Sequence, residues 1–296
     1  MKLLIIGSEG FVGNNLVNAL ESKHDIVCAD LSPTSNHKNY QKIDINNFDD
    51  VERIVKDVDV VINLASHTLT ASLDQTLENA KVNIIGLLNI LESCKKNKIK
   101  KIIFTSASSL VGEPTTFQVS EEHATKPKTA YGITKLASEH YLRLYNELYG
   151  IDFVIFRFFN IYGPYQKNGL IPSLYNRLST NQPLTIFGEG NQVRDYVFIE
   201  DVVEFFEKTI TSNMGDNQIF NLGTGIGSTI KELIQALSEV TKIEPVLKYE
   251  SERPGEIGNF VADTTKLETI FKKIPSTNLK NGLTHTISWI QANTSK

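Results

Sequence analysis

The sequence predicts an α/β protein, a doubly wound parallel sheet with a smaller lobe toward the C-terminus, and three observations predict it. Short apolar runs alternate with longer helical patterns through the first half, a glycine-rich turn joins the first run to a helix, and after Asn160 the strict alternation stops. From there Gly163-Pro164, Pro172, Pro183, Gly188 and Gly190 punctuate shorter elements. With 296 residues, 41% of them hydrophobic and 22% charged, the chain can bury a large core and lacks the composition of a disordered one.

Leu3–Ile6, Asp25–Ala29, Val58–Leu64, Lys101–Phe104 and Phe153–Phe158 are short apolar blocks ending at Gly, Asp, Ser or Asn, which is the pattern of strands. The clearest helix between them runs from about Leu73 to Asn97. Its Leu77, Ala80, Ile84, Leu87, Leu88 and Leu91 recur at three- and four-residue steps and form one apolar face. Strands apolar on both faces and joined by helices imply a parallel sheet covered on two sides. Helical patterns at Asp201–Ile210, Thr229–Val240 and Leu279–Ala292 complete the second lobe.

A net charge of -4 excludes a nucleic-acid clamp, which must neutralise a run of phosphates, so any bound phosphate is held locally. The two cysteines, Cys28 and Cys94, are too few for a disulfide framework and wrongly placed for a zinc site. No metal is expected, and a reducing cytoplasm is the expected compartment. The apolar start Lys2–Ile6 stops too soon for a signal-peptide core. No stretch approaches the roughly 20 apolar residues of a membrane span, so no membrane partner is expected.

Gly7-Ser8-Glu9-Gly10-Phe11-Val12-Gly13 follows the first strand directly and opens a helix. A strand-to-helix turn of this kind needs glycine where φ is positive and where backbone approaches a pyrophosphate, whose charge the helix N-terminus meets. The same glycines would also serve a turn with no ligand. Asp30 ends the second strand, close to the roughly 20 residues downstream at which an acid bonds the adenosine ribose hydroxyls; there it favours NAD over NADP. Asp44-Ile45 and Asn63-Leu64-Ala65-Ser66 fall after the next strand positions, on the same ligand-binding edge.

Tyr131 and Lys135 stand four apart at the start of a helical pattern, so both project from one face. A phenol is a poor base near neutral pH, but an adjacent ammonium favours its phenolate. An amphipathic helix with a chance Tyr and Lys would look the same. Upstream, the strand Lys101–Phe104 runs into Thr105-Ser106-Ala107-Ser108-Ser109, hydroxyls placed to bind a sugar oxygen or simply to end a strand.

Together these residues resemble an extended short-chain dehydrogenase/reductase of the NAD-dependent epimerase/dehydratase family, most similar to nucleotide-sugar 4-epimerases of the UDP-glucose 4-epimerase type. The resemblance rests on Gly7-x-x-Gly10-x-x-Gly13, Asp30, Asp44-Ile45, Asn63-Leu64-Ala65, Asn83, the serine cluster ending at Gly112 and Tyr131-Gly132-x-x-Lys135. Arg157–Pro164, Arg194-Asp195-Tyr196-Val197 and Arg253-Pro254-Gly255-Glu256 extend it over nearly the whole chain.

The resemblance implies a Rossmann-type fold with NAD held by Gly7, Gly10, Phe11, Val12, Gly13, Asp30, Asp44, Ile45, Leu64, Ala65, Ser66 and Asn83, together with Tyr131 and Lys135. It implies that Tyr131 is the general base and acid and that Lys135 depresses its pKa. Ser106, Ser108 and Ser109 would hold the substrate hydroxyl; Asn160, Arg194 and Arg253 would contact the diphosphate of a nucleotide sugar, UDP-hexose favoured. Phe187 would pack against the base, and Phe260 falls at a size gate beside the sugar C2 substituent, although a core phenylalanine would also suit that position. Residues 1–162 plus about 190–212 are then expected in the NAD-binding domain, and about 163–189 and 213–296 in the interleaved substrate lobe. A homodimer is implied, pairing the helices around Leu73–Asn97 and Gly132–Leu148, with a place in carbohydrate and polysaccharide chemistry.

Two departures stand out. Ala107 occupies the position where many of these epimerases carry an active-site serine or threonine, and Val111 replaces the usual tyrosine. The loop also lacks the acidic pair of the family's 4,6-dehydratases, which elimination of water requires. The expected chemistry is therefore 4-epimerisation through a 4-keto sugar. A 4-ketosugar reductase, which Asp30 disfavours, and a silent NAD-binding regulator, hinted at only by Ala107, are the alternatives.

Overall fold

The structure is a computed structural model and describes residues 1–252 and 258–294. In chain order its first elements are β1 (Lys2–Ile6), α1 (Phe11–Leu20), β2 (Asp25–Asp30), β3 (Tyr40–Lys42), α2 (Phe48–Val55), β4 (Val60–Asn63), α3 (Leu69–Ser72) and α4 (Thr76–Ala80). A π-helical turn (Lys81–Ile85) leads to α5 (Gly86–Lys96), β5 (Lys101–Ala107), a short 3-10 helix (Ser108–Val111), β6 (Gln118–Val119), α6 (Ala130–Tyr149), β7 (Asp152–Phe158) and β8 (Asn160–Tyr162). Next come α7 (Leu170–Ser179), β9 (Leu184–Phe187), β10 (Val193–Phe198), α8 (Ile199–Ile210), β11 (Gln218–Leu222) and β12 (Gly227–Thr229). The chain ends with α9 (Ile230–Thr241), β13 (Leu247–Glu250), β14 (Asn259–Ala262), α10 (Thr265–Phe271) and α11 (Leu279–Thr294).

The main sheet has the order β11-β7-β5-β4-β1-β2-β3. From β7 to β3 every pairing is parallel, as the alternation of strands with helices requires. Strands β4 and β5 are buried along their whole length because helices cover both faces of the sheet. On one face Leu4, Val61, Ile102 and Ile155 form a core with Val51 and Ile54 of α2 and Leu87, Ile90 and Leu91 of α5. The chain travels outward from β1 to β3, then returns to β4 and travels outward the other way. That reversal opens a crevice beyond the C-terminal ends of β1 and β4, where such sheets bind ligands.

Local chemistry fixes the helices. Asn47 caps α2 by accepting from the N–H groups of Asp49 and Asp50, whose carboxylates lie in the positive first turn. Thr129 caps α6 by accepting from Gly132 at 3.1 Å, and Gly150, at φ +66°, ends that helix in the left-handed region. The helix expected from Leu73 to Asn97 is present but interrupted by the π-helical turn. Its apolar face is buried only from Gly86 onward, and Leu77 is 72% exposed. Ahead of that point two buried asparagines occupy the inner side: Thr134 of α6 donates to Asn79 at 2.9 Å and accepts from Asn83 at 3.1 Å. A widened turn at such a polar contact is a usual place for a π-bulge.

Two compact units emerge, one of Met1–Gly112, Glu122–Phe158 and Val203–Asn221, the other of Glu113–Glu121, Phe159–Val202 and Leu222–Lys296. These boundaries differ from the expected ones in four places, one being residues 159–162, which join the second unit because β8 pairs with β10. Residues 113–121 join the second unit because β6 pairs with β14, and residues 190–202 do so because β10 is a strand of the second sheet. Residues 213–221 join the first because β11 lies beside β7. In the second unit β10 pairs with β14 and β8 in parallel and with β12 antiparallel, while β13 and β9 form a separate parallel pair. The Asp195 carboxylate is buried at the centre of this sheet, where it accepts from Thr224, Gly225 and Ala262. Among the described residues no helix is long and apolar enough to cross a membrane.

Candidate active site

The turn after β1 is one that only glycine can build. Gly7 sits at φ +89°, and a Cβ there would lie 2.8 Å from the backbone nitrogen of Ala65, on the loop after β4. A Cβ on Gly13 would lie 2.1 Å from the Gly7 carbonyl oxygen and 2.7 Å from the Cα of Ser8. Gly10 stands at the N-cap of α1 without a side chain, so no capping group covers the first-turn N–H groups of Phe11, Val12 and Gly13. The Ser8 hydroxyl beside them is buried and has no protein partner. This cradle fits a dinucleotide pyrophosphate.

Asp30 lies at the end of β2, its carboxylate oxygens accepting from the N–H groups of Glu9 and Ser32, each at 3.0 Å. A fixed carboxylate there suits a ribose diol and repels a 2′-phosphate. Asp44 accepts from the Asn46 N–H in the turn after β3, and Ile45 is buried against Gly86. Leu64 continues the β1 pairing with an N–H bond to Ile6, and Ala65 bonds the side chain of Asn63. The strand ends that carry these residues belong to one sheet edge.

On α6 the spacing places Tyr131, Lys135 and Glu139 in line, four residues apart. Lys135 is 2% exposed; its Nζ donates to the Thr105 carbonyl at 2.7 Å and lies 4.6 Å from the ring centre of Phe104 and 5.6 Å from that of Tyr131. Burial pushes its ammonium down to about 7, with Glu139 opposing. Burial pushes the Tyr131 phenol up to about 12, against a hydrogen bond from Ser66 that works the other way. The two shifts have one physical cause, the removal of charge from water.

Three of the expected residues have partners within the protein. Ser66, expected on the cofactor, donates its hydroxyl proton to Asn83 Oδ1 at 3.2 Å. Asn83, also expected on the cofactor, is engaged by the protein: its Oδ1 accepts from the His67 N–H at 2.8 Å and from Ser66 Oγ at 3.2 Å, and its Nδ2 donates to Thr134 and to the His67 carbonyl. Ser106, expected as catalytic, donates to Glu139 Oε1 at 2.6 Å in a buried site. Ser108 and Ser109 occupy the following 3-10 helix, half-buried, and the Ser109 hydroxyl has no protein partner.

Glu139 and Arg157 are the residues that sequence reasoning passed over. The Arg157 guanidinium grips the Glu139 carboxylate in two bonds, Nε to Oε1 at 2.9 Å and Nη2 to Oε2 at 2.8 Å, both side chains being buried. The signal was present: an arginine inside the apolar strand Asp152–Phe158 must find a carboxylate, and Glu139 lies on the apolar face of α6.

In the second unit, Asn160 donates to the Asp195 carbonyl at 3.4 Å, and Phe187 ends β9 half-buried. Arg194 on β10 donates to the carbonyls of Val193 and Gly258, and the buried Phe260 ring stacks 5.4 Å from Phe159. Arg253 lies outside the described residues.

This arrangement combines a dinucleotide cradle with an acid-base pair on one sheet edge. The family model described as NAD dependent epimerase/dehydratase matches residues 3–223. The chain belongs to this family. Among solved structures, the epimerase/dehydratase chain superposes on UDP-glucose 4-epimerase of Thermotoga maritima, determined with UDP-glucose, at TM-score 0.91 and 30% identity, covering 99% of this chain and 100% of that one. UDP-glucuronic acid 4-epimerase of Bacillus cereus, determined with UDP-glucuronic acid and NAD, matches at TM-score 0.89 and 29% identity over 99% of both chains. UDP-glucose 4-epimerase of Mycolicibacterium smegmatis is 27% identical over 98% of this chain and 99% of its own length.

Two outcomes test the site. Gly13→Ala drives a Cβ into the Gly7 carbonyl, and forcing the turn open costs about 1–3 kcal/mol; thermal melts will show the loss, and an unchanged Tm refutes the close packing. Lys135 has a folded-state pKa of about 7 and an unfolded value of roughly 10.4. Between these values the unfolded state binds more protons, so the parent gains stability as pH rises through this window, whereas below it the full cost of burying an ammonium remains. The Tm of Lys135→Met minus that of the parent is therefore expected to be highest near pH 6 and to fall toward pH 10. A difference independent of pH overturns the assignment.

Proposed function

We propose that this member of the family is an NAD-dependent nucleotide-sugar 4-epimerase, an isomerase whose substrate is a UDP-hexose. The observation that carries the reading is the Tyr131–Lys135 pair on α6, at the same sheet edge as a turn that fits a dinucleotide. Support comes from the similar enzymes, which share this chemistry but differ in hexose, UDP-glucose in one structure and UDP-glucuronic acid in another.

In this mechanism Tyr131, as phenolate, removes the proton of the sugar 4-hydroxyl and later returns it from the same oxygen. NAD, which the glycine turn and Asp30 would hold, would supply the acceptor and donor for the C4 hydride of a 4-keto sugar. Lys135 stabilises the phenolate by charge. Ser108 and Ser109 offer hydroxyls to the sugar oxygens, which the engaged Ser106 does not. Asn160, Arg194 and Arg253 hold the diphosphate, the guanidinium fork being suited to phosphate oxygens. Phe187 packs against the base. The lack of an acid pair in the serine loop disfavours dehydration, and Asp30 disfavours an NADPH-dependent reductase.

The same reading includes a homodimer in the cytoplasm, serving polysaccharide synthesis. Supporting the dimer, Leu73, Leu77, Ile85, Ile133, Leu144 and Leu148, on or beside the helices expected to pair, are all exposed.

Replacing Tyr131 by Phe removes only a hydroxyl, so turnover is expected to fall by about 10²–10⁴-fold while the Tm stays close to that of the parent. NAD is regenerated in each cycle; assay of UDP-galactose or another nucleotide hexose should show many turnovers per NAD, and stoichiometric consumption of NAD sinks the epimerase reading. Phe260→Ser should open the gate, raising turnover of UDP-N-acetylglucosamine relative to UDP-glucose. Equal rates for both sugars in the parent would remove the gate.

A further inference from the structure

Glu9 stands in the glycine turn, but its carboxylate reaches the loop after β2. Ser35 Oγ donates to Glu9 Oε1 at 2.6 Å, and His37 Nε2 lies 3.6 Å from the same oxygen. The His37 N–H donates to Ser35 Oγ at 2.9 Å and so holds that hydroxyl in place. The side chains of Glu9 and His37 are only 21% and 9% exposed, so water screens the contact incompletely.

A second tie joins the same two segments. Asp30 accepts from the Glu9 N–H through Oδ2 and from the Ser32 N–H through Oδ1, each at 3.0 Å, while the Tyr40 hydroxyl reaches the carbonyls of Asp30 and Ser32. Because Asp30 is bonded to the backbone of Glu9, the two carboxylates are separated by at most one hydrogen bond and one glutamate side chain. That lies inside the roughly 10 Å over which charges still act on each other at 0.1 M salt. Burial raises the Tyr40 phenol, and the charges of Asp30 and then Glu9 raise it further, as expected where two carboxylates face one small volume.

We propose that Glu9 is a second specificity-determining residue for the dinucleotide, excluding a 2′-phosphate beside Asp30; this rests on the NAD site of the reading above and is independent of the sugar. Two effects add. The Glu9 charge repels a phosphate esterified at the ribose hydroxyl that Asp30 is suited to bind. The same carboxylate engages the Ser35 hydroxyl and faces His37 Nε2, which is buried without a hydrogen-bond partner among the described residues. These are the groups of the loop on which a phosphate would otherwise draw. Lys42, which pairs with Asp30 in the register of β2 and β3, is exposed, so water and salt screen its opposing charge. Neutralising Asp30 alone therefore leaves the subsite acidic.

The experiment is calorimetric titration of the full chain, cleared of copurified nucleotide, with NAD and with NADP at low and high salt. The proteins are the parent, Glu9→Gln, Asp30→Asn and the double variant. Glutamine keeps an oxygen for Ser35 and removes only the charge. Glu9→Gln should tighten NADP about 10-fold, the equivalent of about 1.4 kcal/mol of relieved repulsion. NAD should bind nearly as before, because its ribose hydroxyls are met by Asp30. Asp30→Asn should weaken NAD, since hydrogen bonds to a charged acceptor are the stronger ones, and the double variant should bind NADP more tightly than Asp30→Asn alone. In the parent the gap between the two dinucleotides should narrow at high salt. An NADP affinity unmoved by Glu9→Gln, an equal shift for both dinucleotides, or a gap indifferent to salt overturns the inference. A parent that binds neither dinucleotide removes the NAD site itself, and the role of Glu9 with it.

Discussion

The buried bond between Arg157 and Glu139 is the constraint from which the site follows. Two charges inside a protein are tolerated only when nearly every lone pair and N–H is met, and here the guanidinium takes both carboxylate oxygens while Ser106 donates to one of them. That geometry ties α6 to β7 and β5 at Glu139. Because Tyr131, Lys135 and Glu139 follow one another at four-residue steps, fixing Glu139 fixes the direction of the other two. Breaking such a pair by removing one partner typically costs about 3–5 kcal/mol, more than enough to hold a helix in place. The pair reads as a structural device, yet its product is the aim of a phenol.

A second set of polar bonds holds the other side of the same helix. Asn79, Asn83 and Ser138 are all buried and all satisfied, the asparagines through Thr134 and Ser138 through the carbonyls of Asn83 and Thr134. An ordinary α-helix from Leu73 onward would present Leu77 and Ile84 to the core; the π-helical turn instead brings amides to α6. Leu73, Leu77 and Ile85 on that stretch are left exposed. Polar satisfaction has overridden the amphipathic pattern, a trade natural proteins make where function sits.

This explains what could be read in the sequence. The alternation of apolar runs with helices gives the parallel sheet, because burial on both faces leaves a compositional trace in Leu3–Ile6, Val60–Asn63 and Phe153–Phe158. Gly7 and Gly13 were legible because their backbone demands exclude other residues. Tyr131 and Lys135 were legible through helical spacing. The partners of polar side chains were not: Asn79 and Asn83 carry no spacing signal toward Thr134, since the contacts join residues about 50 to 55 apart in the chain. Nor does a run such as Val193–Phe198 reveal which sheet it will join, so the boundary near residue 190 fell on the wrong side of β10.

The charge state of the Tyr131–Lys135 pair follows from the same burial. With Lys135 pushed down to about 7 and Tyr131 pushed up to about 12, the pair between these values holds its single titratable proton on the phenol, with both groups neutral. The proposed chemistry needs the same number of protons in the other arrangement, ammonium and phenolate. The change is a transfer within the pair and requires no proton from solvent. Its cost is the separation of charge in a buried site, and any positive charge or hydrogen-bond donor brought to the phenolate oxygen lowers that cost. Burial thus favours the neutral form of the pair, and under the proposed chemistry the phenol becomes competent near neutrality only through its neighbours.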